Sequence, residues 1–78
     1  MSRRYVLFVE LSGEGAAATL RAWREREPAL KDGRLLVSAT QPNLALLLVD
    51  RPTPESPVLP EAAPDMKLRS WAFLDAGE

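Results

Sequence analysis

The stretch that decides the fold is PTPESPVLPEAAP, residues 52–64, which holds five of the seven prolines in this 78-residue chain. A proline inside a helix removes a backbone hydrogen bond and clashes with the preceding turn. The prolines here are spaced too closely to leave room for a stable helix between them. We therefore predict that residues 51–65 form an extended, polyproline-like crossover.

Three segments ahead of this tract have the composition of β-strands. Residues 4–11 (RYVLFVEL) and 44–50 (LALLLVD) carry apolar side chains on both faces, which is typical of central strands covered on both sides. Residues 34–40 (RLLVSAT) include more polar side chains, which favours an edge position. Gln41-Pro42-Asn43 lies between the second and third of these strands and predicts a hairpin turn.

One helix is predicted between the first two strands, near residues 14–27. Ser12 is a candidate N-cap, and Pro28 is expected to end the helix. The spacing of its apolar residues defines a single stripe, formed by Ala16, Leu20 and Trp23. After the proline tract, residues 66–74 (MKLRSWAFL) predict a last strand.

The order strand, helix, strand, strand, crossover, strand predicts an α+β protein. It resembles a ferredoxin-like fold in which the proline-rich crossover replaces the second helix, with a four-stranded antiparallel sheet in the order 4-1-3-2. Over residues 4–74 the chain is similar, in its order of elements, to the small dimeric α/β-barrel modules, such as the antibiotic-biosynthesis-monooxygenase-like group. That resemblance implies a homodimer that pairs sheet against sheet. Those barrels often bind a ligand in a site lined by His, Asn, Trp or Tyr, and this sequence has no His.

Composition excludes several classes of function. With no Cys and no His, ordinary zinc, haem and iron–sulfur sites are excluded, and we expect neither a metal nor another cofactor. The net charge of −1 gives no general attraction to polyphosphate, so a nucleic-acid partner is not expected. A chain this short without disulfides gains stability most readily by oligomerisation, which again indicates a homodimer.

The same composition bears on location and source. No apolar run approaches the length that spans a bilayer, so no membrane association is expected. Arg3 and Arg4 are followed by only five apolar residues before Glu10, fewer than a signal peptide needs. We therefore expect a cytoplasmic protein. The absence of Ile and the ratio of eight Arg to two Lys indicate GC-rich coding, which is typical of a bacterial source and compatible with a thermophilic one.

Aromatic and cationic side chains are the best candidates for a binding or interface site. Trp71 shares one face of the last strand with two cations, and a tryptophan in that setting is able to stack on a planar ligand or contact a second subunit. The candidate site residues are Trp71, Trp23, Lys67, Arg69, Phe73 and Tyr5. A cluster of arginines near the helix is read as a solvated face, and no residue is predicted to be catalytic.

Three functions compete. The first is a non-catalytic homodimeric module with an assembly or regulatory role. The second is a small-molecule-binding protein, or a minor enzyme, of the dimeric-barrel type. The third is a nucleic-acid accessory protein that uses Trp71, Lys67 and Arg69. The sequence favours the first and leans against an enzyme.

Overall fold

The computed structural model describes residues 4–76. Its elements, in chain order, are β1 (Tyr5–Ser12), α1 (Ala16–Arg26), a short 3₁₀ helix (Pro28–Leu30), β2 (Arg34–Val37), β3 (Leu44–Arg51) and β4 (Lys67–Leu74). The strands form one sheet in the order β2-β3-β1-β4, and all neighbours are antiparallel. The predicted α+β class, with a four-stranded antiparallel sheet and one helix, is confirmed. The arrangement is consistent with a ferredoxin-like fold in general.

The two faces of the sheet differ sharply in burial. Because side chains alternate along a strand, odd-numbered residues of β1 and β3 share one face, which we call the core face. Its buried sheet residues are Leu7, Val9, Leu11, Ala45, Leu47 and Val49. Helix α1 packs on this face through Ala16, Leu20 and Trp23, and Leu30 of the 3₁₀ helix completes the core.

Residues 52–66, which connect β3 to β4, contain neither helix nor strand. We call this segment the strap. Its side chains Leu59, Ala62 and Met66 pack against the core, whereas Val58 is 94% exposed. On the core face of β4, Ser70 and Ala72 remain exposed, so the strap replaces only part of the cover that a second helix would give.

The helix begins two residues later than the sequence predicts. Ser12 is not its N-cap, because Ser12 is the last residue of β1. The cap position is Gly15, in the left-handed region with φ of 82°, and it makes no side-chain capping hydrogen bond. The glycine-containing turn sets the boundary because its backbone adopts a conformation that favours glycine. At the other end, Glu27 is already extended ahead of Pro28, and its amide donates to the carbonyl of Trp23.

Gly13 lies in the same turn, where both its backbone conformation and a close contact require a glycine. Its φ is 134°, and a Cβ added there would lie 2.8 Å from Cγ of Met66. The turn after β1 therefore packs directly against the residue that precedes β4.

Strand β2 is three residues shorter than predicted. The hydroxyl of Ser38 accepts hydrogen bonds from the amides of Gln41 (2.9 Å) and Thr40 (3.3 Å), and this local turn competes with continuation of the strand. Asn43 then takes a positive φ of 62° before β3 begins.

The first and last described segments meet at one corner of the sheet. Tyr5 at the start of β1 pairs with Leu74 at the end of β4. The amide of Asp75 donates to the carbonyl of Arg4 over 2.8 Å, which extends the ladder by one bond.

Within residues 4–76, no helix has both the length and the apolar character that crossing a membrane requires.

Candidate functional site: the open face

The face of the sheet opposite α1 is apolar, yet none of its described side chains is buried. We call it the open face. The strand registers place its apolar residues in adjoining rows, with Leu48 opposite Phe8 and Phe8 opposite Trp71. The apolar members are Val6, Phe8, Leu36, Leu44, Leu46, Leu48, Trp71 and Phe73. Every buried residue of β1 and β3 lies on the core face, so the open face is a second apolar layer without cover in the described chain.

An apolar groove crosses the open face where β1 and β4 run side by side. It is an open groove of about 500 Å³, lined by Val6, Phe8, Trp71, Phe73 and Asp75. The rings of Phe8 and Phe73 contact edge to face, with centroids 4.9 Å apart and planes inclined by 72°. Edge-to-face is one of the geometries that the aromatic quadrupole favours, so the contact stabilises this arrangement of the two rings.

A cation lies beside this groove, against the ring of one of its lining residues. The guanidinium carbon of Arg69 lies 5.1 Å from the ring centroid of Trp71, which is a cation–π contact. The register also places Arg69 opposite Glu10 on β1. The groove therefore has an apolar floor and a charged margin.

Charged side chains lie around the edge of the open face, except Glu10, which lies on central strand β1 between Leu46 and Arg69. Arg34 is on edge strand β2, Asp50 is near the end of β3, and Lys67 begins β4. An apolar centre with a polar rim is the anatomy of a protein–protein interface. Because the rim carries both signs of charge, the face lacks the basic stripe expected of a nucleic-acid site.

The structure gathers four of the six candidate residues on this face and separates the other two. Lys67, Arg69, Trp71 and Phe73 alternate along the open face of β4. Trp23 is 4% exposed in the core under α1. Tyr5 belongs to the core face of β1, where it is half-buried.

Residues of the two central strands, which are not among the six candidates, complete the open face. They are Val6, Phe8, Leu44, Leu46 and Leu48. Their signal was present in the apolar residues on both sides of the first and third strands, but only the register shows that they adjoin Trp71 and Phe73.

A second depression, of about 700 Å³, lies at the C-terminal end of α1. It is lined by charges of both signs, among them Arg24, Glu25, Lys31 and Asp32. Arg24 donates from Nη1 to the carbonyl of Gly33 (3.3 Å), and Arg26 pairs with Glu27 over 3.3 Å. These contacts serve the helix end and favour no particular ligand.

Neither a protein-family model, nor a curated protein, nor a solved structure matches this chain. Among residues 4–76, no three His, Cys, Asp or Glu side chains group closely enough to hold a metal ion. The open face is therefore the feature on which a functional proposal rests.

Proposed function

We propose that the protein is a non-catalytic homodimeric module, with an assembly or regulatory role, whose two copies pack open face against open face. This is the sheet-to-sheet pairing of the dimeric α/β-barrel type. The observation that carries the proposal is the contrast between the two faces of β1 and β3. One face is buried under α1, and the other is as apolar but uncovered.

The size of the open face supports a dimer. Four strands about 4.8 Å apart and up to eight residues long, at about 3.4 Å each, give a flat footprint of roughly 500 Å². Side-chain relief adds to that projection. Specific interfaces begin at about 600 Å² for each partner, so a stable interface requires the whole open face to be buried. A small peptide would leave much of the face exposed to solvent.

The distribution of charge supports the same pairing. The apolar rows that contain Phe8, Leu46 and Leu48 lie in the centre, where a partner excludes water. Arg34, Asp50 and Lys67 lie at the margin, where their charges stay solvated in a dimer.

The test is the mass in solution of the wild type and of Leu48→Asp. We expect the wild type to have twice the 8.6 kDa of one chain, or a multiple of it. Leu48→Asp places a charge in the middle of the open face, outside the core, and is expected to lose the face contact while keeping its circular dichroism spectrum. A monomeric wild type over a range of concentrations would refute the proposal, as would a Leu48→Asp variant of unchanged mass.

One observation favours a second candidate, a module that binds a small molecule. The open groove between Phe8, Trp71 and Phe73 is almost entirely apolar, and the Arg69 guanidinium stacks on the Trp71 ring beside it, which suits a flat aromatic compound. A thermal-shift screen with flat aromatic compounds of either charge tests it, since a ligand at 100 times its dissociation constant adds about 2.7 kcal/mol of stability. A hit that disappears in Trp71→Ala would support this candidate, and no shift with any compound would count against it.

A further inference from the structure

We propose that the outer edge of β4 is a second self-association surface, at which β4 pairs antiparallel with β4 of another copy to make a continuous eight-stranded sheet. This goes beyond pairing through the open face and uses a different surface. The two contacts are compatible, and together they build a tetramer from two dimers.

The two edges of the sheet are unequal. Edge strand β2 has only four residues and ends in the Ser38 turn, and short edge strands resist pairing with other chains. Edge strand β4 has eight residues, Lys67–Leu74, with no proline and no glycine. Among the described residues it pairs with β1 and with no other strand.

The outer edge of β4 is also accessible. Every second amide of an edge strand points away from its neighbour and needs a partner or water. Six of the eight residues of β4 are exposed, including Ser70 and Ala72 on the core face. The strap therefore leaves Ser70 and Ala72 uncovered, and the large apolar side chains Phe73 and Leu74 are 52% and 48% exposed.

The sequence of β4 is complementary to itself when reversed. Its first half carries the cations Lys67 and Arg69, and its second half carries Trp71 and Phe73. A two-fold axis at Trp71 places Arg69 of one copy opposite Phe73 of the other, and an axis at Ser70 places it opposite Trp71. Both registers set a cation against an aromatic ring and keep like charges apart.

Because β4 is complementary to itself, a second copy of this chain fits the edge better than a strand of another protein does. An acidic strand from another protein would satisfy the two cations but not the aromatic half. Pairing about a two-fold axis satisfies both halves at once, because each half meets the other. It also joins the open faces of two copies into one wider face, which doubles the surface available for packing against another pair.

The variant that tests this edge is S70K/A72K. Both positions are exposed on the core face of β4, so the substitutions leave the open face unchanged. With the axis at Ser70, the lysine introduced at position 70 meets its own symmetry mate. With the axis at Trp71, it meets the lysine introduced at position 72 of the other copy. Like charges directly opposite are destabilising in either register.

The matched control is A18K/A22K, which adds the same charge at two exposed positions of α1. We expect light scattering to give a tetramer for the wild type and for this control, and a dimer for S70K/A72K. Leu48→Asp should also give a dimer, held by the edge alone, and the combined variant should be monomeric.

The two proposals fail in distinguishable ways. If S70K/A72K keeps the wild-type mass, edge pairing is overturned while the open-face dimer stands. If Leu48→Asp keeps the wild-type mass and S70K/A72K lowers it, the edge is supported and the open-face proposal fails.

Hydrogen exchange gives a readout that does not depend on a variant. In the associated wild type, amides along the whole of β4 should be protected. In S70K/A72K, protection should alternate, with every second amide exchanging quickly. Alternating protection in the associated wild type would overturn the proposal, because packing through the open face alone leaves the outer amides in water.

Discussion

At the scale of single residues, the turn between β1 and α1 shows how a backbone requirement fixes a packing contact. Gly13 and Gly15 both have positive φ, but only Gly13 is also pressed against a neighbour, Met66. The start of β4 is therefore able to lie this close to the turn only because Gly13 has no side chain. The sequence indicates a turn here, but it contains no sign of the contact with Met66, which is distant in the chain.

We predict that Gly13→Ala lowers the free energy of unfolding by about 1–3 kcal/mol, since the new Cβ adds a steric clash to an unfavourable φ. Urea denaturation measures this. Gly15→Ala is the matched control, because its φ of 82° is also positive but the nearest atom would lie 3.8 Å from the new Cβ. Its loss should be smaller, and equal losses in the two variants would contradict the packing argument.

At the scale of elements, the strands could be predicted from their apolar, β-branched and aromatic runs, and the helix from its single apolar stripe. The end of β2 could not, because the hydroxyl of Ser38 competes locally with the sheet ladder, and propensity does not resolve that competition. The start of α1 could not be predicted from a capping side chain, because the cap residue is Gly15, which ends the turn by its backbone conformation.

Strand β3 offers a direct test of its two faces. Leu47 is fully buried, so Leu47→Ala should lower the free energy of unfolding by about 2–5 kcal/mol. The folded fraction of this variant should keep the oligomeric mass of the wild type. Leu46→Ala, one residue away on the open face, should cost less in the isolated chain and act mainly on association. Denaturation midpoints measured at several protein concentrations distinguish these outcomes. If Leu46→Ala lowered the free energy of unfolding of the isolated chain more than Leu47→Ala, the assignment of Leu47 to the core face would be wrong.

The strap provides a second pair of neighbours with opposite environments. Leu59 packs against the core, so Leu59→Ala should cost about 1 kcal/mol of stability. Val58 is 94% exposed, and Val58→Ala should stay within about 0.5 kcal/mol of the wild type. Thermal unfolding of both variants measures the difference. Equal effects would show that the strap does not dock through Leu59.

At the scale of the whole molecule, one helix and a partial strap cover one side of a sheet that is apolar on both sides. That imbalance could be expected from the two-sided strands and the proline tract. The composition of the candidate site could be expected only in part, because the contribution of Val6, Phe8 and Leu48 depends on strand register, which a list of residues does not contain.

Self-association at either surface would link stability to concentration. We predict that the melting temperature of the wild type rises with protein concentration, because only the folded chain presents the open face and the β4 edge. Differential scanning calorimetry at widely separated protein concentrations measures this. The Leu48→Asp variant combined with S70K/A72K should melt at one temperature throughout, and a concentration-independent wild type would argue against both surfaces.

The hydrogen bond from Asp75 to Arg4 has a practical consequence for engineering. Because the two ends of the described chain touch, a few flexible residues would join them without disturbing the sheet. New termini opened among the exposed residues 53–56 would then yield a circular permutant with the same core. Such a rearranged chain would carry fused tags beside the strap, away from the corner where Arg4 and Asp75 now meet.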